Sequence, residues 1–264
     1  MDAVALTEHG NMFSVLPYYK QAKKAGIKPI IGCEIYVAVG SRFEKKTRSD
    51  GGWGNNHLIL LAQNFTGYKN LMKLVTAGYL EGFYYRPRID MDLLREYSEG
   101  LICMSACLKG VVPEKMLKGD YEGARKEALL FSEIFQDRYY LEIQNQGIPE
   151  EEQNLKNMKK LSQDLNLPLV CTNDAHYAKK EHWEAHDIHI CLGTGKERSD
   201  PNRLRYATPE FYFKTQDEMH KLFKEFPGAI ENTRKIADSI DITLPIGESH
   251  LPNFPIPKEA NTSD

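Results

Sequence analysis

The stretch AVALTEHGNMFSVLPYYKQAKKAGIKPIIGCEIYVAV, residues 3–39, decides the fold class. Residues 3–7 form a short apolar run that is typical of a strand. Residues 12–26 have apolar positions that suit a helix ending at Gly26. Residues 28–39 are rich in Ile and Val, as buried strands are. A strand, a helix and a strand in this order predict a parallel βαβ unit.

The same alternation continues along the chain and extends this prediction. Further strand-like runs cover residues 57–64, 100–106, 139–144 and 167–174. Helical patterns cover residues 66–82, 120–137 and 149–166. We predict Thr66 and Asp120 as the N-terminal caps of the first two of these helices. The pattern indicates an α/β protein with a doubly wound sheet or a barrel.

Three segments break the alternation. Residues 40–56 are polar and rich in glycine, which predicts a surface loop. Residues 196–215 show no regular period, so we expect an irregular excursion. Residues 246–264 are polar and rich in proline, and they are predicted to form a linker after one domain at residues 1–245.

Composition excludes several classes of protein. The chain has 264 residues, 41% of them hydrophobic and 27% charged, which are ordinary values for a globular protein. The net charge of −3 provides no overall basic field for nucleic acid. The five cysteines are widely spaced, which argues against a disulfide framework. Neither a signal peptide nor a membrane-spanning run is visible, so we expect a cytoplasmic protein without a membrane partner.

Side chains that can bind a metal ion occur near the ends of the predicted strands. They are His9, Glu34, His57, Cys107, Asp174 and His176. In α/β barrels the residues beyond the carboxyl ends of the strands converge on one face. His57 does not fit this rule directly because it begins its run, so strand direction or loop geometry must bring it there. Taken singly, each residue also has an ordinary role as a turn, a cap or a buried side chain.

The types of side chain in this set indicate which metals would suit it. A mixture of nitrogen, oxygen and sulfur donors favours zinc, manganese or iron over magnesium or calcium. Such ions polarise phosphate and lower the pKa of a bound water, so phosphoester hydrolysis needs no protein nucleophile. The short step from Asp174 to His176 lets both side chains reach one centre. We therefore predict a site for divalent metal ions.

Two other groups of residues remain open at this point. His182, His186 and His189 lie on one face of a predicted helix, where packing is the favoured interpretation over zinc binding. The segment GFYYRPRIDMDLL, residues 82–94, combines aromatic residues with Arg86 and Arg88. These arginines are candidates to bind the phosphates of DNA. The alternative is a solvated turn before a helix that Asp90 caps.

Seven segments together carry a resemblance to a known family. They are ALTEHGNMFSVLPYYKQAKKAGIKPIIGCEIYV, NNHLILLAQNFTGYKNLMKLVT, GFYYRPRID, SACLKG, YLEIQ, TNDAHY and FYFKTQDEM. The chain resembles the PHP (polymerase and histidinol phosphatase) domain of the bacterial replicative DNA polymerase III alpha subunit. The resemblance implies a distorted (βα)7 barrel with up to three metal ions, commonly zinc or manganese. It also implies that all six residues named above are metal ligands, with Glu8 and Glu142 as candidates to support them.

The resemblance also implies a function in DNA replication. Active domains of this family are similar to metal-dependent 3′–5′ proofreading exonucleases, and their partners are the 3′ end of DNA, the rest of the polymerase and other replisome subunits. Two departures stand out: Glu8 replaces the usual aspartate, and the family's first strand with its H-x-H pair is expected to precede residue 1. Impaired catalysis is therefore expected of this chain alone. The alternatives are a metal-stabilised structural module and a small-molecule phosphatase of the histidinol-phosphate type.

Overall fold

The structure, a computed structural model, describes residues 1–46, 54–249 and 251. The middle of the predicted loop at 40–56 and most of the predicted linker at 246–264 lie outside the described residues. The division into a domain at 1–245 and a linker therefore stays a prediction.

The strands of the described residues form one seven-stranded sheet. They are β1 (Ala3–His9), β2 (Lys28–Ala38), β3 (Asn55–Ala62), β4 (Arg88–Ile89), β5 (Leu101–Met104), β6 (Tyr139–Ile143) and β7 (Leu169–Cys171). Their order is β1-β2-β3-β5-β6-β7, and β4 pairs with β2. The sheet curls into a half barrel, which agrees with the predicted α/β class and the distorted barrel.

The described α-helices lie mainly between the strands, as predicted. They are α1 (Val15–Lys24), α2 (Phe65–Leu80), α3 (Met91–Glu96), α4 (Val111–Leu117), α5 (Tyr121–Phe135), α6 (Pro149–Leu165), α7 (Trp183–Thr194), α8 (Gln216–Leu222) and α9 (Pro227–Ser239). Asp120 caps α5 by accepting a hydrogen bond from the Gly123 N–H, so this prediction is confirmed. The prediction of Thr66 as the cap of α2 is wrong. The Asn64 side chain accepts the capping bond from the Gly67 N–H instead.

The direction of β3 differs from the parallel pairing that the alternation predicted. β3 runs antiparallel to β2 and to β5, while the pairs β1–β2, β5–β6 and β6–β7 are parallel. The segment between β2 and β3 includes no helix among its described residues. A parallel connection needs a crossover, usually a helix, whereas a direct return produces an antiparallel pair.

The core lies between the sheet and the helices that follow its strands. β2 is buried from Pro29 to Ala38, so it is covered on both faces. α5 buries Ala124, Ala128 and Phe131, which share one helix face because they recur every three or four residues. The packing of the helices against the sheet holds the ends of the strands in place relative to each other. Among the described residues, no helix is both long and apolar enough to cross a membrane.

Candidate metal centre

The curled sheet brings the predicted ligands to one of its ends. His9 is the last residue of β1 and is paired in register with Glu34 on the parallel strand β2. His57 lies near the beginning of β3, opposite Tyr36. Because β3 is antiparallel, its beginning lies at the same end of the sheet as the carboxyl ends of its neighbours. Strand direction therefore places His57 at this end.

Glu34 is the centre of the first group of contacts. Its Oε1 atom lies 2.5 Å from Nδ1 of His57 and 3.5 Å from Nε2 of His9. The Sγ atom of Cys107 lies 3.6 Å from the same Nδ1 of His57. Although these atoms are close, Glu34 Oε1 is a buried oxygen without an aligned hydrogen-bond partner among the described residues. Three kinds of electron-pair donor thus converge on a small volume.

Asp174 and His176 form a second group that joins the first. The Nδ1 atom of His176 lies 3.6 Å from Oδ1 of Asp174 and 3.1 Å from the carbonyl oxygen of the same residue. The ring of His176 lies 5.9 Å from the ring of His9, measured between centroids. All six predicted side chains therefore belong to one continuous cluster, which extends from β1 to the segment after β7.

Burial sets the charge balance of this cluster. Burial raises the pKa of the Asp174 carboxyl, and the imidazole of His176 only partly opposes this effect. Burial also raises the pKa of the Cys107 thiol. For Glu34 burial acts in the same direction, but the neighbouring imidazoles, led by His57, outweigh it and lower the pKa. A cation among these groups would favour their deprotonated forms, which are the forms that bind metals.

The chemical types of the donor groups suit a divalent transition metal, but the present distances between these groups do not. Imidazole, carboxylate and thiolate together suit zinc, manganese or iron. The buried Oε1 atom of Glu34, which lacks an aligned hydrogen bond among the described residues, is an acceptor that an ion would satisfy. However, no three or more His, Cys, Asp or Glu side chains in the described part of the chain are arranged to hold an ion as they stand. Ion binding would therefore require small side-chain movements, beginning with separation of His57 from Glu34.

Glu142 supports the two loops that carry Cys107 and Asp174. It accepts a hydrogen bond from the Ala106 N–H at 2.9 Å and another from the Thr172 hydroxyl. These donors lie one and two residues before Cys107 and Asp174. Burial raises the pKa of Glu142 to about 7, although the bonds from Thr172 and Gln144 oppose this shift. A role of Glu142 in orienting metal ligands stays a prediction.

Glu8 supports the beginning of α1. Its two carboxylate oxygens accept hydrogen bonds from the backbone N–H and the hydroxyl of Ser14, both at 2.9 Å. A carboxylate at this position also interacts favourably with the helix dipole. Glu8 therefore fixes the turn that follows His9.

The two arginines of the GFYYRPRID segment occupy different environments. Arg88 is 1% exposed, and its guanidinium donates hydrogen bonds to the carbonyl oxygens of Gly82, Arg42 and Glu44. The prediction that Arg88 binds DNA phosphate is therefore wrong, because the sheet and the loop after β2 enclose it. Arg86 lines an open groove beside His9 and lies over the ring of Tyr36.

Several aromatic residues beside the cluster were not predicted from the sequence. The ring of His176 packs against Tyr206, Phe211 and His186 at centroid distances of 4.8, 5.6 and 5.9 Å. Tyr206 and Phe211 belong to the irregular excursion at 196–215, which therefore forms a wall of the site. Their only sequence signal is the aromatic content of that segment.

The histidines of the α7 region differ from the expectation of one packed face. His186 is partly buried and contacts the ring of His176, whereas His182 and His189 are exposed. The Nδ1 atom of His186 is buried without a hydrogen-bond partner among the described residues. Burial, together with the nearby His176, lowers the pKa of His186. The helix therefore contributes one histidine to the surroundings of the cluster.

A comparison with family models identifies the class of protein. The model described as "PHP domain" matches residues 1–146. The matched region includes four of the six cluster residues, and Asp174 and His176 follow it. The chain belongs to the PHP domain family.

Curated relatives define the branch of that family. The chain is 50% identical to DNA polymerase III subunit alpha of Borreliella burgdorferi over 99% of this chain and 23% of the relative. Identity to the subunit of the same name is 44% for Treponema pallidum, over 100% of this chain, and 41% for Thermus aquaticus, over 97%. The aligned region is 22% of each of these two relatives. The chain thus spans less than a quarter of the length of these relatives, and the resemblance inferred from its motifs is confirmed.

Proposed function

We propose that this chain is the PHP metal-dependent phosphoesterase module of a DNA polymerase III alpha subunit, and that within the intact subunit it acts in the cytoplasm as a 3′–5′ proofreading exonuclease during DNA replication. The observation that supports the proposal is the continuous cluster of His9, Glu34, His57, Cys107, Asp174 and His176 at one end of the sheet. The identity to polymerase subunits favours a DNA substrate over histidinol phosphate.

The cluster residues would hold zinc or manganese, which supplies Lewis acidity and a more acidic bound water when present. The chain's own residues account for the rest of the site. Glu34, which is buried, and Asp174, which is partly buried, provide negative charge to the site. His9, which is half exposed, lies where the cluster opens to solvent. A phosphodiester group would approach from that side because the other ligands are covered by the sheet and by the excursion.

The first test is the metal content of the purified chain. Wild-type protein isolated without chelator or affinity-tag metal is compared with the double variant Asp174→Ala/His176→Ala by elemental analysis. We expect about one or more equivalents of zinc, manganese or iron in the wild type and loss of that metal in the variant. Absence of metal from the wild type would contradict the proposal.

The second test is degradation of a 5′-labelled DNA strand from its 3′ end, with and without chelator. Shortening that requires added metal and is lost in Asp174→Ala/His176→Ala would support the exonuclease. A metal-loaded intact subunit that also leaves DNA intact would favour the structural module instead. Impaired catalysis by the 264-residue chain alone stays a prediction, and robust chelator-sensitive degradation would contradict it.

A further inference from the structure

An open groove with a volume of about 410 Å³ lies directly beside the metal cluster. Its lining includes His9, Tyr36, Tyr79, Phe83, Tyr85 and Arg86. The groove therefore shares His9 with the cluster. Tyr36 provides a second connection, because its ring contacts the ring of His57 edge-on at 5.2 Å between centroids. A ligand in this groove would extend toward the site where the phosphoester is proposed to react.

Exposed aromatic rings form a row along this groove. The rings of Tyr79 and Phe83 are stacked at 6.1 Å with an angle of 26° between their planes. Phe13 continues the row, with its ring 6.5 Å from that of Tyr79. Phe13 and Phe83 are 78% and 48% exposed. Exposed rings arranged in this way are available to stack on a flat ligand.

The backbone at the end of the row is held in a conformation that exposes another ring. Tyr85 has φ = 56°, in the left-handed region that non-glycine residues rarely adopt, and its side chain is 59% exposed. A hydrogen bond from the Tyr84 N–H to the Arg86 carbonyl oxygen closes the turn around it. Such a conformation costs free energy and persists where the surroundings enforce it. The turn places Tyr85 and Arg86 together in the lining of the groove.

We propose that this aromatic groove binds the unpaired nucleotides at the 3′ end of a single DNA strand, an inference that rests on the proposed exonuclease. Aromatic side chains stack on the faces of bases, which are accessible only when a base is unpaired. Arg86 supplies the charge for the backbone phosphates. The overall charge of −3 provides no general attraction for duplex DNA, so recognition depends on this local combination of rings and one guanidinium.

The binding test uses the 264-residue chain and a short oligothymidylate labelled with fluorescein at its 5′ end. EDTA is present, so neither metal binding nor hydrolysis contributes. Fluorescence anisotropy should show tighter binding of the single strand than of a blunt duplex of equal length. Phe83→Ala should weaken binding of the single strand by roughly 5- to 150-fold, the range for loss of one base stack.

Tyr85→Gly separates binding from folding. Glycine accepts the positive φ without strain, which offsets the loss of the edge-on contact with the Tyr84 ring, so the melting temperature of this variant should stay close to that of the wild type. Loss of the ring should nevertheless weaken binding of the single strand. The matched control is Phe65→Ala at the other end of α2, where the ring is 36% exposed and stacks on Tyr68 away from the groove. This control should bind as the wild type does.

Arg86→Gln tests the phosphate contact through salt dependence. Loss of one phosphate contact should reduce the slope of log Kd against log salt concentration by about 0.7, the value for single strands. A merely structural role of Arg86 would change affinity without changing this slope. An unchanged slope would therefore overturn the assignment of Arg86.

The outcomes distinguish this inference from the proposed function. The groove assignment would be overturned if the wild type bound the single strand and the duplex with equal affinity. It would also be overturned if Phe83→Ala and Tyr85→Gly both bound the single strand as tightly as the wild type does. Either result would favour a protein partner for this face. Because EDTA is present, that result would leave the metal and exonuclease tests unaffected. Conversely, selective binding of the single strand by the wild type, together with weaker binding by Phe83→Ala and Tyr85→Gly, would support the groove assignment even if elemental analysis found no metal.

Discussion

At the scale of single residues, Gly10, which follows His9, leaves no room for a larger side chain. Gly10 has φ = 68°, and a Cβ atom placed there would lie 2.8 Å from Cγ of Pro87 and 2.9 Å from Cε2 of Tyr36. Glycine is thus required both by the backbone conformation and by the close approach of two groove residues. The glycine allows β1 to end at His9 while Tyr36 and Pro87 pack beneath the turn.

Gly10→Ala should destabilise the chain more than the positive φ alone explains. Gly26 is a matched control because its φ is 70° and a Cβ atom placed there would meet no heavy atom within 4 Å. Gly26→Ala therefore measures the backbone strain, and Gly10→Ala measures strain plus steric overlap. We expect Gly10→Ala to lower the free energy of unfolding by about 1–3 kcal/mol more than Gly26→Ala, measured by urea denaturation. Equal effects of the two substitutions would contradict the packing argument.

The buried carboxyl of Glu142 should make stability depend on pH. Its pKa in the folded chain is about 7, above the ordinary value of 4.5, because of burial. Between these values the folded chain retains a proton that the unfolded chain has released. Stability should therefore decrease as pH rises from 4.5 to 7. The contribution of this group is at most about 3 kcal/mol.

Glu142→Gln removes this titration and tests its sign. The measurement is made in EDTA between pH 5 and 7, which is about the range over which the shifted pKa of Glu142 acts. Over this range the free energy of unfolding should decrease less in the variant than in the wild type. The exposed Glu122→Gln serves as the control because its side chain lies at the surface of α5. Parallel pH profiles for wild type and Glu142→Gln would refute the assignment.

At the scale of secondary-structure elements, a partly buried ion pair between Arg42 and Asp90 attaches the loop after β2 to the beginning of α3. Asp90 accepts two hydrogen bonds at 3.0 Å from the Arg42 guanidinium and also caps α3 through the Leu93 N–H. Burial raises the pKa of Asp90, but the hydrogen bonds from Arg42 and Leu93 outweigh it, and the pKa is lowered. This stabilisation is present above the ordinary pKa of 3.8 and is lost as pH falls through the lower folded value.

Asp90→Asn should retain the shape of the cap and remove its charge. We expect the free energy of unfolding at neutral pH to fall by about 1.5–3 kcal/mol, because the charged hydrogen bonds to Asp90 weaken while Arg42 keeps its ion pair with Glu81. The difference from wild type should shrink in strong acid, where the wild-type carboxyl is itself protonated. Asp92→Asn, at an exposed carboxylate that pairs with Arg95, is the control and should cost less than about 1 kcal/mol. A similar loss in both variants would contradict the ion-pair argument.

At the scale of the whole molecule, the cluster of six candidate ligands connects parts of the chain that are distant in sequence. His9 ends the first strand of the sheet, and His176 follows the last. The strands β1 and β7 are at opposite ends of the strand order, yet the rings of these histidines are 5.9 Å apart because the sheet curls. An ion bound by the cluster would therefore hold the two ends of the half barrel together.

Metal binding should consequently raise the thermal stability of the whole chain. Zinc or manganese at about 100 times its Kd should increase the free energy of unfolding by about 2.7 kcal/mol, and EDTA should reverse the effect. Thermal unfolding followed by circular dichroism measures this shift. Asp174→Asn/His176→Gln, which preserves side-chain size, should show no shift with metal. An equal shift in this variant would mean that the ion binds elsewhere.

The sequence by itself determined the α/β class, most strand and helix positions, and the set of six candidate ligands, because hydrophobic period and residue type are local properties. It also identified the Asp120 cap, although it misplaced the cap of α2. Tertiary structure alone decided that β3 is antiparallel, and this direction brings His57 to the cluster. It also buried Arg88 while leaving Arg86 in the groove, and it placed Tyr206 beside His176. These features depend on which distant segments meet when the sheet curls, and no local pattern along the chain encodes that meeting.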